Sequence, residues 1–124
     1  PIFATFAPHE FSNYGTDANG SVDYPDHVHP VASSVASGEA DLGILICGSG
    51  NGVCMTANKH KNVRAALCWD VDLSRLAREH NNANVICIPA RFVSEELALD
   101  MIRVFLETQF EGGRHARRVE KINC

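Results

Sequence analysis

The chain has 124 residues, a net charge of −4, 45% hydrophobic residues and 21% charged ones. That is the balance of an ordinary globular protein with room for one core. The acidic balance argues against non-specific nucleic-acid binding as its main task. No apolar run approaches the ~18–20 residues needed to cross a bilayer, and no basic-then-apolar signal segment is present. The five cysteines (Cys47, Cys54, Cys68, Cys87 and Cys124) are odd in number and contain no Cys-x-x-Cys pair. They fit free thiols in a reducing cytoplasm better than a disulfide framework or a thiolate zinc site.

In chain order, Ile2–Phe6 is a short β-prone run, and Phe11–Asp26 is rich in Gly, Asn, Asp and Ser and reads as loop and turn. Pro30 suits a first helical position, with Val31, Val35 and Ala36 as the apolar stripe and Gly38 as the stop. Ile44–Cys47 is a short apolar run expected to form a strand buried on both faces. Three glycines, Gly48, Gly50 and Gly52, follow it, and a helix is expected from Val53 to Lys59. Val63–Cys68 is a second buried-strand candidate. Asp70 or Asp72 can cap the next helix, whose inward stripe is Leu73, Leu76, Ala77 and His80. Asn84–Pro89 is the third strand. Ser94 caps a longer helix with an acidic first turn (Glu95, Glu96) and Ala98, Ile102, Phe105 and Leu106 facing inward. Gly112-Gly113 breaks the chain before a basic segment that is expected to be helical over 114–122.

Strands alternating with helices predict an α/β fold, a parallel sheet covered on both faces, over a single domain spanning 1–124. Ligands then bind at the carboxyl ends of the strands, where Cys47, Trp69 and Pro89 are expected.

The glycine alternation lets the backbone bring N–H groups close to an anion or a polar ligand. A dinucleotide fold is the rival, with Asp70 about where a ribose-binding acid belongs, but Gly-x-Gly-x-x-Gly requires glycine where the chain has Val53. Cys47 precedes these loop amides and a helix start, a setting that favours a thiolate acting as nucleophile or base. The other cysteines read as core filler. His80 either caps its own helix end or serves as a general acid/base, with Asn81 as a polar ligand contact. No histidine spacing or carboxylate–histidine cluster suggests a metal. Arg114 and Arg118 share one helix face and could grip a phosphate, or else pair with Glu111 or Glu120. Arg91 lies just past the third strand, near the same sheet edge.

Six segments in order carry a resemblance over roughly residues 22–122: Asp23-Tyr24-Pro25-Asp26, Ile46-Cys47-Gly48-Ser49-Gly50-Asn51-Gly52, Ala57-Asn58-Lys59, Arg64-Ala65-Ala66, Arg78-Glu79-His80-Asn81-Asn82-Ala83-Asn84 and Phe110-Glu111-Gly112-Gly113-Arg114-His115. Together they resemble ribose-5-phosphate isomerase B, whose relatives include allose-6-phosphate isomerase and the galactose-6-phosphate isomerase subunits. The resemblance implies a three-layer α/β/α Rossmann-like fold and a cytoplasmic aldose–ketose isomerase of the pentose phosphate pathway. It implies no metal and no cofactor. The partners it implies are a sugar phosphate and further copies of the chain, in a homodimer or tetramer with each active site at a subunit interface. Nucleic acid and membrane are not among them.

By position, Cys47 would be the base that moves a proton between sugar C1 and C2. Some relatives place a glutamate where this chain has Val53, so the chain matches the cysteine type. His80 would assist ring opening and Asn81 would contact the sugar. The amides of Gly48, Ser49, Gly50, Asn51 and Gly52, with the Ser49 hydroxyl, would stabilise the enediolate. Arg114 and Arg118 would hold the phosphate, with Arg91 helping from the interface.

The family's usual opening strand and Ser-Asp-His-Ala-Gly motif are missing here. The expectation is that residues were lost between about Ile2 and Pro8, which predicts a broken or displaced chain there. The alternatives are an isomerase of a six-carbon sugar phosphate (allose 6-phosphate or galactose 6-phosphate) and a non-catalytic sugar-phosphate-binding protein. Dinucleotide binding ranks behind both.

Overall fold

The computed structural model describes residues 5–6, 9–15 and 22–122. The break expected between Ile2 and Pro8 falls on residues 2–4 and 7–8, and Cys124 at the other end; these lie outside the described residues. At Thr5 and Phe6 the backbone is helix and turn rather than the β-prone run expected, and Phe6 is buried in the core.

Helix α1 spans Pro25–Ser37, strand β1 Gly43–Cys47, α2 Asn51–Ala57, β2 Ala65–Leu67, α3 Val71–Asn81, β3 Val85–Pro89, α4 Glu95–Glu107 and α5 Arg114–Ile122. The three strands form one parallel sheet in the order β1-β3-β2, with Cys47 level with Pro89 and Ala65 level with Val85. The last strand is therefore the central one, and its five residues are all buried.

Alternation along β3 builds the two cores. Val85 and Cys87 point into the layer formed by Val28, Ala32 and Val35 of α1 and Val53 and Ala57 of α2. Ile86 and Ile88 point into the layer formed by Ala77 of α3 and Met101, Ile102 and Phe105 of α4. This is the three-layer α/β/α arrangement. The chain steps from β1 over β3 to β2 through α2 on one face, then back to β3 through α3 on the other. Reversing direction switches the helix to the opposite face when crossovers keep one hand.

Several local expectations need correction. Helix α1 begins at Pro25, and Pro30 lies inside it rather than at its start. Pro30 and Asp26, the residue whose carbonyl it leaves unbonded, are both exposed, so water can take the lost hydrogen bond. Strand β1 is not buried on both faces. Leu45 is in the core but Ile46 is 47% exposed, and β1 pairs only with β3 among the described residues. The inward stripe of α3 is rotated. Leu76 is exposed, and Ser74 takes the core position, its hydroxyl donating to the Met101 carbonyl at 2.7 Å. The two caps hold: Asp70 Oδ1 accepts the Leu73 N–H, and Ser94 Oγ accepts the Leu97 N–H. Gly38 ends α1 in the left-handed region at φ 86°.

Candidate active site

The helices after neighbouring strands β1 and β3 lie on opposite faces, so a crevice opens between those strands at their carboxyl ends. The chain beyond the strands keeps pairing across it. The Ala90 N–H donates to the Cys47 carbonyl at 2.8 Å and the Arg91 N–H to the Gly48 carbonyl at 3.0 Å. This sets Arg91 beside the glycine loop, with its guanidinium 3.0 Å from where a Gly48 side chain would begin. Within the loop, Gly50 sits at φ 76° as the N-cap of α2, and its N–H donates to Cys47 Sγ at 3.2 Å. The Asn51 N–H donates to Ser49 Oγ at 3.2 Å. The Ser49 N–H has no acceptor among the described residues. A side chain on Gly52 would fall inside the Tyr24 ring, 2.5 Å from Cζ, so Tyr24 packs directly on the loop backbone. Helix α2 has only seven residues, so the cradle is made chiefly of loop amides rather than of a helix end.

His80, Asn81, Arg114 and Arg118 lie elsewhere. Helix α3 starts beyond the carboxyl end of β2 and runs back to the amino end of β3. There Arg64, just before β2, donates from its Nε to the Asn82 carbonyl at 2.8 Å, and its N–H donates to Asn84 Oδ1 at 2.7 Å. The eleven residues of α3 span about 16 Å, so His80 and Asn81 are at the edge of the sheet opposite Cys47. Within one copy, then, the thiol and loop amides lie at one edge of the sheet and the histidine and the two helical arginines at the other. A helix that begins at the binding edge of a parallel sheet ends at the other.

This second cluster is tightly built. Arg78 ties the C-terminus of α3 to the next segment, donating to the carbonyls of Thr108 and Ala83 and to Asn82 Oδ1. The Glu111 N–H donates to the Glu79 carbonyl at 3.0 Å, and Gly112 and Gly113 at φ 71° and 55° turn the chain into α5. Helix α5 buries His115 and Val119, which places Arg114 and Arg118 on its exposed side. Among the described residues neither arginine makes an ion pair. Glu111 turns instead to two histidines. The His115 ring lies flat on His80, centroids 4.2 Å apart and planes 13° apart. Glu111 Oε1 is 3.6 Å from His115 Nε2 and 3.9 Å from His80 Nε2. Burial, then the charges of His80, Arg114 and Arg118, push the His115 imidazole below its usual range, against the opposing pull of Glu111.

Sequence reasoning missed this cluster, although Glu111 and His115 are four apart and His115 is on the buried stripe of α5. It is a carboxylate with two imidazoles within 4.8 Å. The positive charges of Arg114 and Arg118 bear on His115 as well. The arrangement suits a proton better than a metal cation. Asn81 lines a groove of about 600 Å³ together with Lys59, His60 and Arg64.

Of the remaining cysteines, Cys68 and Cys87 are core thiols. Burial pushes Cys68 up to about 12. Cys54 is half-buried and lowered to about 7, chiefly by a hydrogen bond from Cys87, whose own thiol is pushed up. No helix among the described residues is long and apolar enough to cross a membrane.

The family model described as Ribose/Galactose Isomerase matches residues 2–122. The chain is 45% identical over 115 residues to the putative sugar phosphate isomerase YwlF of Bacillus subtilis, covering 92% of this chain and 77% of that one. It is 43% identical over 115 residues to ribose-5-phosphate isomerase B of Escherichia coli, covering 93% and 77%. The structure of ribose-5-phosphate isomerase B from Clostridium thermocellum superposes with a TM-score of 0.93 at 46% identity, over 98% of this chain and 82% of that one. With these matches, a switch-point crevice holding a cysteine and a glycine loop, and a parallel α/β/α fold, the chain belongs to the ribose/galactose isomerase family.

Proposed function

We propose that the chain is an aldose–ketose isomerase interconverting ribose 5-phosphate and ribulose 5-phosphate, and that it works as a homodimer with Cys47 of one copy facing His80 of the other. The observation that carries this reading is the Cys47–Gly52 loop at the switch point, a thiol packed against backbone amides beside Arg91. The two half-sites lie at opposite ends of the sheet. A two-fold axis across the strands would therefore bring each copy's carboxyl edge against the other's amino edge, completing two equal sites.

In this reading the partner's phosphate clamp, Arg114 and Arg118, holds the substrate with charge-assisted hydrogen bonds, and Arg91 adds a third guanidinium from its own side. His80 gives a proton to the ring oxygen as the C1–oxygen bond breaks and regains one from the anomeric hydroxyl as that becomes the carbonyl, and Asn81 holds a sugar hydroxyl. The Cys47 thiolate removes the C2 proton of the open-chain aldose. Charge then develops on the C1 oxygen, where the loop amides, the free Ser49 N–H among them, and the Ser49 hydroxyl can meet it. The thiol returns the proton to C1 while the C2 hydroxyl proton passes to the C1 oxygen, leaving a hydroxyl at C1 and the ketone at C2. The C–H proton travels on one thiol and the hydroxyl proton moves from one substrate oxygen to the other, so the isomerisation of the open chain balances without an outside reactant.

The decisive assay is ribulose 5-phosphate formation from ribose 5-phosphate with a chelator present, for the chain as it stands and for Cys47→Ala. The expected outcome is activity that survives chelation and drops by about 10²–10⁴-fold in the variant. Equal activity in both proteins would remove Cys47 from its role. Turnover of a six-carbon sugar phosphate in place of ribose 5-phosphate would change the substrate and leave the chemistry standing.

A further inference from the structure

The chemistry above assigns nothing to His115 or Glu111, yet these two side chains are the ones that meet the His80 ring. We infer that His115 and Glu111 are positioning residues for His80: the buried His115 ring fixes the plane of His80, and Glu111, close to both Nε2 atoms, makes the two rings share one proton. The inference rests on His80 being the group that handles a proton of the sugar ring.

Three observations carry it. The rings are stacked at 4.2 Å and 13°, so rotation of His80 about its side chain would collide with a neighbour that is itself held in place. His115 is on the buried side of α5 with Val119, one turn away, anchoring the same face. And Glu111 Oε1 is within 3.9 Å of both Nε2 atoms, which places one negative charge against two protonatable rings.

Charge count then decides the occupancy. Two imidazoliums face to face at this distance repel strongly, and one carboxylate can neutralise only one. His115 is the poorer place for the proton. It is buried, and Arg114 and Arg118 on its own helix add positive charge. On α3, the other element packed against it, Arg78 is turned to the carbonyls of Thr108 and Ala83, and Glu79 faces Arg75. Neither competes for the pair. His80, whose side chain is 39% exposed, is the ring of the pair that is open to a substrate. A general acid needs both a held proton and a fixed direction of delivery, and this arrangement supplies the two together.

The test is an NMR titration of the His115 ring in the full chain, alongside His80→Asn and Glu111→Gln, with kinetics of His115→Phe and His115→Ala. The His115 midpoint should rise when His80 is replaced and fall when Glu111 is neutralised, and the unsubstituted chain should titrate with an apparent Hill slope below one. His115→Ala should lower kcat for ribose 5-phosphate about 10–100-fold with KM nearly unchanged. His115→Phe keeps a flat ring and should recover much of that loss while altering the pH profile of kcat. A His115 midpoint that ignores both neighbours overturns the shared proton. Equal kcat in Ala and Phe variants overturns the positioning. Coupled titration in a chain that turns over no sugar phosphate upholds the proton pair and sinks the isomerase reading, so the two failures are separable. Glu111 is exposed, so Glu111→Gln should fold even where a His115 variant does not.

Discussion

Gly50 concentrates several demands in one residue. Its φ of 76° lies where a side chain is strained, its N–H is the donor to Cys47 Sγ, and a Cβ there would overlap Leu67 Cδ1 and press on the backbone of Pro89 and Ile88. Gly50→Ala should therefore cost roughly 1–3 kcal/mol of stability, seen as a lower urea midpoint, and should depress activity further by moving the amide off the sulfur. An alanine variant as stable and active as the parent would show that the loop tolerates another path. This residue was legible beforehand, because alternating glycines after a short strand have few other uses. Glu111 and His115 were not. Their meeting with His80 depends on how a loop after α4 returns to the end of α3, and neither periodicity nor spacing encodes that return. Tyr24 escaped for the same reason, since only the packed structure lays its ring on Gly52.

Among the elements, α5 has the weakest hold on the body of the protein. Its buried contacts are His115 and Val119, and its solvent side carries Arg114 and Arg118, the arginines proposed to hold the phosphate. Undocking it should need far less free energy than unfolding the sheet. Val119→Asp places a charge in that seam. The expected outcome is a KM for sugar phosphate raised at least about tenfold, with the main thermal transition little moved. Loss of the whole fold in a melting experiment would mean that α5 is part of the central core. The extent of α5 over 114–122 and its bounding glycines were readable from the sequence, as were the caps of α3 and α4. The errors at this scale share one cause. Helix α1 continued through Pro30, α3 turned Ser74 inward in place of Leu76, and Ile46 was left uncovered, each because tertiary surroundings overrode a local preference.

For the molecule as a whole, the division of the site between opposite sheet edges gives the sharpest forecast. Cys47→Ala and His80→Asn should each be inactive alone. Mixed and allowed to exchange subunits, half of the dimers become hybrids, and each hybrid has one site made wholly of unaltered residues. Activity should return to about a quarter of the unsubstituted level. No recovery, with exchange shown by mass spectrometry of the intact dimers, would mean that both residues act within one chain or that one of them does not act. The strand–helix alternation made the layers predictable, but the same alternation sends every crossover helix to the far edge. Which copy supplies each side chain is therefore not written in the order of the elements.

A catalytic centre shared between two copies, as proposed, would have a consequence for descent. After duplication, one copy could lose its thiol loop and its sister could lose its histidine–arginine end, and the two would still assemble one working centre. Each half would then be free to drift toward other duties, with the pair bound together because neither could turn over substrate alone.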